Sequence, residues 1–159
     1  MAREKARPVH PTLLELGQPT EALDMAEAAL ARDKRCTVAH LHLAEAARAC
    51  GALPEVVEDR LRAGLTAAAS PAAEATIRCA LAAHLLDQQR IAEAMLVLHG
   101  AEALLPRCPA PSQAMLRIQL GEVLIAQGQI ERAQEYLQSA AALDPHGRYA
   151  TVAWRVAGH

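Results

Sequence analysis

The chain has 159 residues, of which 52% are hydrophobic but only 2% aromatic, and its formal net charge is -2. A chain of this length is typical of one domain and can bury a core without disulfides or metals. The small charge and the few aromatic residues argue against a basic or base-stacking surface, and so against nucleic-acid binding. Alanine and leucine supply most of the apolar content, which favours an all-helical protein over one containing strands.

The chain begins with MAREKARPVHP, which is charged and interrupted by proline and lacks the apolar segment of a secretory signal. No stretch approaches the ~20 apolar residues of a membrane-spanning helix. We therefore expect a cytoplasmic protein that does not bind a membrane, and the many arginines and alanines indicate a bacterial source. No CxxC pair is present, so we expect reduced thiols. The cysteines are Cys36, Cys50, Cys79 and Cys108.

Helical segments separated by turn residues are predicted along the whole chain. In order they cover about 11–16, 19–32, 38–50, 54–68, 71–87, 91–104, 113–126, 130–143 and 148–157. Ser70 and Pro71 are typical of a helix start, with a capping hydroxyl followed by proline in the first turn. Pro106 and Pro145 are expected to end the helices before them.

The same residue pattern returns four times. Gly17 and Gly51 lie 34 positions apart, the third copy begins at Gln89, and the fourth begins at Gly128. A glycine between two helices predicts a backbone with positive φ. Small residues inside each copy are expected to let paired helices approach closely. They are Ala22, Ala94 and Ala133 on one side of the second helix and Ala29, Ala63, Ala101 and Ala140 on the other.

The fourth copy resembles the tetratricopeptide repeat most clearly. Its matching residues are Leu120-Gly121, Leu124, Gly128, Ile130, Ala133, Tyr136, Ala140 and Asp144-Pro145. The resemblance covers about residues 10 to 147 and implies an all-α, right-handed superhelical solenoid of about four helix-turn-helix repeats. It implies one domain over 1–159, with repeats at about 3–36, 37–70, 75–108 and 114–147 and a capping helix at 148–157.

Two departures from the family pattern are visible. Pro8 and Pro11 interrupt the first helix of the first repeat. Positions that hold large aromatic residues in the family are occupied here by His40, Arg78, Arg117, Leu81 and Leu124. We therefore expect the helices to pack closer together and the groove to lack deep aromatic pockets.

The resemblance implies a concave groove lined by the first helix of each repeat. The family's groove positions correspond by register to Val38, Leu41, His42, Glu45, Arg48, Thr76, Cys79, Ala80, Ala83, Asp87, Met115, Ile118, Gln119, Glu122 and Ala126. Lysine and asparagine are missing from this set, so the carboxylate clamp of some family members is not expected. A mildly acidic groove suits a protein segment with apolar anchors and a basic residue. For a single charge such as Glu45, a solvated pair with Arg48 is the alternative.

The last segment carries an apolar stripe, which predicts a helix that caps the solenoid or joins two copies end to end. The residues proposed for a contact between copies are Tyr149, Val152, Trp154 and Val156. The expected function is a non-catalytic scaffold or adaptor that binds a protein or peptide partner. A self-assembling structural protein and a secretion-type chaperone of the same family are the alternatives, although such chaperones usually have more aromatic grooves.

The ionisable residues show no catalytic or metal-binding pattern. His40 and His42 point to different helix faces, and His84 and His99, expected to be partly buried, have no ligand at paired spacing. No nucleophile motif or phosphate-binding loop appears. Paired carboxylates such as Glu55 with Glu58 are interpreted as solvated surface charges beside arginines. We therefore expect no enzyme activity, no metal and no cofactor.

Overall fold

A computed structural model describes residues 17–144 and 148–158, apart from the side chains of residues 148 and 149. Within these residues the chain is all-α. The helices are α1 (Pro19–Arg32), α2 (Thr37–Ala49), α3 (Pro54–Ala67), α4 (Pro71–Asp87), α5 (Ile91–Glu102), α6 (Ala110–Ala126), α7 (Ile130–Leu143) and α8 (Arg148–Val156). The helix predicted over 11–16 and the stop predicted at Pro145 lie outside the described residues.

The described helices pack in sequential antiparallel pairs, α2 with α3, α4 with α5, and α6 with α7. The first helix of each pair ends in the same way. At the end of α2, the Gly51 N–H donates to the Arg48 carbonyl at 3.0 Å and the Ala52 N–H donates to the Ala47 carbonyl at 2.9 Å. This pair of bonds satisfies carbonyls that the helix end would otherwise leave without partners.

The turn residue of this motif has positive φ in every pair, as the glycines predict. The values are 80° at Gly51, 76° at Gly128 and 59° at Gln89. Gln89 is the exception in residue type, because a side chain in this backbone region costs about 1–2 kcal/mol. The hydrogen bonds around Gln89 repeat those at Gly51 and Gly128, so the motif is kept without glycine.

Two proline predictions have different outcomes. The hydroxyl of Ser70 accepts the Ala73 N–H at 3.1 Å and Pro71 lies in the first turn of α4, as expected. Pro106 does not end α5, which stops at Glu102; it lies in a short 3-10 turn, Leu105–Arg107. The start of α6 at Ala110 precedes the predicted start at 113, because Pro111 fits the first turn of a helix.

Small residues let the paired helices approach closely, but in the second repeat the small residue lies one position later than predicted. Ala22, Ala94 and Ala133 are buried as predicted, but Ala63 is exposed and Gly64 is buried instead. A Cβ atom on Gly64 would lie 2.9 Å from the Cβ of His40, so α2 and α3 approach too closely for alanine. The turn after Gly51 holds one residue more than the turn after Gly17, which shifts the second repeat by one position.

Polar side chains, some of them at positions that are aromatic in the family, make specific hydrogen bonds to backbone carbonyls. The Nε2 atom of buried His40 lies 2.9 Å from the Lys34 carbonyl, and the Nε2 atom of buried His84 lies 3.0 Å from the Pro54 carbonyl. Arg78 donates to the Val97 carbonyl at 2.9 Å and also pairs with Glu74. His99, expected to be partly buried, has a side chain that is 78% exposed.

The packing makes one side of the helix stack tighter than the other. α4 packs on both α2 and α6, and α6 packs on α8, whereas α3, α5 and α7 make little contact with one another. A stack whose first helices touch and whose second helices spread apart curves toward the first helices. The concave side is therefore formed by α2, α4 and α6.

Candidate protein-binding groove

On α2, one stripe of side chains is open to the concave side. Val38 is 60% exposed, Leu41 and His42 are half-buried, and Glu45 and Arg48 are exposed. The remaining faces of this helix are buried against its neighbours because α1, α3 and α4 all pack on it. The stripe follows the three- and four-residue spacing of a helix face, and all five residues belong to the groove expected from the sequence.

The stripes of α4 and α6 are narrower, because α4 lies between α2 and α6, and α6 lies between α4 and α8. Their more open positions are Thr76, Ala80, Ala83 and Asp87 on α4, and Met115, Glu122 and Ala126 on α6. Gln119 is only 9% exposed, and the Thr76 hydroxyl donates to the Ala72 carbonyl at 2.8 Å. Gln119 and Thr76 therefore lie on the floor of the groove rather than at its rim.

Two residues expected in the groove are buried in the core. Cys79 is 5% exposed and lies in the main apolar cluster, which joins α2 to α6. Ile118 is 6% exposed and packs in a second cluster with Leu137 and Ala153. Both are neighbours of open positions in sequence, but a helix packed on two sides leaves only one narrow stripe free. We therefore exclude them from the candidate contact surface.

A cavity of about 150 Å³ opens into the groove between α2 and α4. It is lined by Leu41, Ala44, Glu45, Arg48, Val57, Leu61, Ala80, Ala83 and His84. α2 and α4 touch at fewer positions than α4 and α6 do. Ala44, Ala80 and Ala83 face this junction, so the small side chains leave space here instead of drawing the two helices into full contact.

Charged residues of both signs lie at the rim of this cavity. A guanidinium nitrogen of Arg48 lies 3.7 Å from a carboxylate oxygen of Asp87, which links α2 to α4. The Nδ1 atom of His42 lies 3.9 Å from a carboxylate oxygen of Glu45, within α2. All four side chains are largely solvated, so these contacts contribute little to stability. They remain free to exchange for contacts with a partner.

Glu122 is the most unusual charge in the groove. Burial raises the pKa of its carboxyl group, a hydrogen bond from the Gln119 amide at 2.8 Å partly opposes this, and the nearby Asp87 carboxylate raises the pKa further. None of the described arginine or lysine residues forms an ion pair with Glu122. The groove thus contains a half-buried carboxylate whose negative charge is compensated only by an amide.

The thiols of the core do not have the properties of nucleophiles. Burial raises the pKa of Cys79 to about 12, and the negative charges of Glu122 and Cys108 act in the same direction. Burial also raises the pKa of Cys108. Within the described ranges no cluster of three or more histidine, cysteine or acidic residues is arranged to hold a metal ion.

The opposite, convex side contains a polar cluster that the sequence analysis misinterpreted. Glu58 is 9% exposed rather than solvated, and it accepts hydrogen bonds from Arg62 on its own helix and from Arg90 at the start of α5. These bonds, the one from Arg90 first, lower the pKa of Glu58 against the opposing effect of burial. Arg90 also pairs with Glu93 at 2.6 Å. The cluster fastens α3 to α5 and is not positioned to contact a ligand in the groove.

α8 covers the last helix pair. Ala153 is 1% exposed, and Val152 and Val156 pack against the cluster formed by α6 and α7. Trp154 is 53% exposed beside a cavity of about 100 Å³ between α7 and α8. The side chain of Tyr149 lies outside the described part of the chain. Two of the four residues proposed for a contact between copies therefore point inward, as in a capping helix.

No protein-family model matches the sequence, and no curated protein matches it. Several solved structures share its fold. PilF from Pseudomonas aeruginosa superposes with a TM-score of 0.70 at 21% identity, over 91% of this chain and 62% of that one. TTC0263, a thermophilic TPR protein from Thermus thermophilus, gives 0.67 at 20% identity over 88% and 75%. YrrB, described as a TPR protein with an unusual peptide-binding site, gives 0.56 at 18% over 92% and 71%.

These likenesses show that the chain has the fold of tetratricopeptide-repeat proteins, as the sequence pattern predicts. The chain spans about 62% of the length of PilF. At identities of 18% to 21% the comparison shows the fold alone. None of the helices in the described residues is long and apolar enough to cross a membrane.

Proposed function

We propose that this chain is a non-catalytic scaffold that binds an extended segment of another protein in the concave groove formed by α2, α4 and α6. The observation that carries the proposal is the cavity between α2 and α4, which opens into the groove beside exposed charges. Concave sites with apolar walls and a few polar groups are typical of ligand-binding surfaces. The rest of the groove is lined by half-buried side chains that a bound segment can cover.

The helical stack also supports binding from an energetic point of view. Each first helix is packed on its partner and on its neighbours, so the groove is preformed in the free protein. A preformed groove avoids the free-energy cost of ordering flexible loops during association. YrrB, which has the same fold, is described as having a peptide-binding site, and we propose the same kind of ligand here.

The chemistry of the groove favours binding over catalysis. A nucleophilic enzyme needs a nucleophile held beside an oriented base. The Cys79 thiol is buried with a raised pKa, and the nearby Glu122 carboxylate accepts a hydrogen bond from an amide instead of activating that thiol. We also propose that the protein acts in the cytoplasm, because Cys36, Cys50, Cys79 and Cys108 are free and unpaired thiols are usual in reducing compartments.

Affinity capture with a variant whose groove is blocked tests the proposal. Ala83 lines the cavity and is half-buried, so Ala83→Arg places a long side chain where the partner would lie. Ala92 on α5 is exposed on the convex side, so Ala92→Arg adds the same charge without closing the groove. We expect the first variant to lose captured partners and the second to keep them, with both equally helical by circular dichroism. Equal capture by both variants would contradict the proposal.

Self-assembly through α8 is a second candidate function. The observation that favours it is the exposed Trp154 beside the cavity between α7 and α8. Sedimentation velocity over a range of concentrations tests it, because Trp154→Ala should dissociate any oligomer formed through this end. A wild-type protein that stays monomeric at every concentration would exclude this function.

A further inference from the structure

We infer that the cavity between α2 and α4 accepts one aliphatic side chain of an extended partner segment, and that Asp87 and Glu122 bind a basic residue two positions away from it. The inference rests on the proposed function, since it specifies the chemistry of the segment that the groove binds. Three independent features lead to it: the size of the cavity, the charge around it, and the spacing between the two.

The cavity has the size and lining of an anchor site. Its volume is about 150 Å³, and Leu41, Val57 and Leu61 form apolar walls beside the three alanines. An engineered apolar cavity of about 150 Å³ in another protein takes up benzene, which is close in size to the side chain of leucine. Burying an aliphatic side chain of this size removes apolar surface from water, which favours binding.

The charges around the cavity favour a basic neighbour for that anchor. Glu45, Asp87 and Glu122 supply three carboxylates on the open stripes of α2, α4 and α6, and Arg48 is the one arginine or lysine on those stripes. The Arg48 pair with Asp87 is solvated, and no described arginine or lysine pairs with Glu122. An arginine or lysine from the partner would compensate the half-buried charge of Glu122, whereas an acidic residue at the same place would be repelled.

The distance between the cavity and Asp87 fits a segment in an extended conformation. Ala83 lines the cavity and Asp87 lies four residues further along α4, about 6 Å along its axis. In an extended chain, residues i and i+2 point to the same side about 6.6 Å apart. An aliphatic residue and a basic residue with one residue between them therefore reach the cavity and the carboxylates together.

A peptide-selection experiment tests the inference with a defined probe. Random dodecapeptides displayed on phage are selected on the full chain, and the selected peptides are then measured by fluorescence anisotropy. We expect enrichment of an aliphatic residue and an arginine or lysine separated by one position. In a selected peptide, changing the basic residue to Glu or the aliphatic residue to Gly should each weaken binding roughly tenfold or more.

The variants separate this inference from the proposed function. Glu122→Gln should weaken a selected basic peptide but leave its glutamine analogue unchanged. If the selected peptides lack the aliphatic–basic pair, or no peptide is selected, the inference is wrong. If selected peptides without this pair fail to bind Ala83→Arg but still bind Ala92→Arg, the groove remains a binding site. If Ala83→Arg has no effect on any selected peptide, the inference and the proposed function both fail.

Discussion

Arg48 at the end of α2 and Asp87 at the end of α4 face each other across the junction of these two helices, with 3.7 Å between a guanidinium nitrogen and a carboxylate oxygen. Their side chains are 59% and 64% exposed. Such a pair contributes little to the free energy of unfolding. It does occupy a carboxylate that we assign to the partner's basic residue, and so it competes with binding.

Removing this competitor should increase affinity with little change in stability. Arg48→Gln is expected to change the free energy of unfolding by less than about 1 kcal/mol and to tighten the binding of a selected basic peptide. Urea denaturation and fluorescence anisotropy measure the two effects. Arg132→Gln, on the exposed side of α7, is the control and should change neither quantity substantially. Weaker peptide binding by Arg48→Gln would show that Arg48 itself contacts the ligand.

The ionised Glu122 carboxylate should destabilise the folded protein at neutral pH. Because its folded-state pKa is raised, the folded protein holds this proton more tightly than the unfolded chain does. The cost of the ionised carboxylate is therefore absent below the ordinary pKa of 4.5 and fully present above the folded-state pKa. Asp87 and the buried, neutral Cys79 thiol face it from α4, and the Asp87 carboxylate disfavours its negative charge.

Glu122→Gln is accordingly expected to stabilise the protein at pH 7 by a modest amount, under about 1 kcal/mol because the group is partly solvated. The gain should shrink as the pH falls toward 4.5, where the wild-type carboxyl becomes protonated. Thermal unfolding of both proteins across this range measures it. Glu131→Gln, on the exposed side of α7, is the control. Destabilisation at pH 7 by Glu122→Gln would contradict the assigned environment.

Glu58 should have the opposite pH dependence. Its hydrogen bonds with Arg90 and Arg62 lower its pKa, so the stabilisation is present above 4.5 and is lost as the pH falls through the folded-state pKa. Glu58→Gln removes charged hydrogen-bond acceptors and should destabilise the protein by about 1.5–3 kcal/mol at pH 7. Urea denaturation at pH 7 and below 4 should show the wild type converging toward the variant. A constant difference across that range would contradict this role.

The sequence predicts the helices well because their boundaries depend on local chemistry. Pro19, Pro54 and Pro71 start helices as expected, and Gly51 and Gly128 supply the positive φ in the turns after α2 and α6. The exposure of the α2 stripe was also predictable, because the register of the repeat family places these residues on one face of the helix. These features depend on residues within one turn of each other, which a single sequence displays directly.

The features that were mispredicted depend on contacts between helices. Cys79 and Ile118 are one helix position from the open stripe, and only the packing of both neighbouring helices shows that they are buried. Glu58 lies in a sequence pattern that is typical of surface charges, but Arg90, 32 positions away, donates a hydrogen bond to it. The cavity depends on the separation of α2 and α4, which the facing alanines suggest but do not determine.

The turn at Gln89 provides a matched test of backbone strain. Gln89 and Gly128 occupy equivalent turns with φ of 59° and 76°, so exchanging their residue types should have opposite effects. Gln89→Gly is expected to stabilise the protein, and Gly128→Gln to destabilise it, each by about 1 kcal/mol. Chemical denaturation measures both. A loss of stability in Gln89→Gly would mean that the glutamine side chain contributes more than the strain costs.

Site-specific photocrosslinking tests the central claim most directly, because it reports which face of the stack a partner touches. Val38 and Leu96 are both exposed aliphatic residues, 60% and 74% accessible, on the concave α2 and the convex α5. With p-benzoylphenylalanine at each position in turn, we expect a defined crosslinked protein from position 38 and none from position 96. Crosslinks from position 96 alone, or equal crosslinks from both positions, would contradict binding in the concave groove.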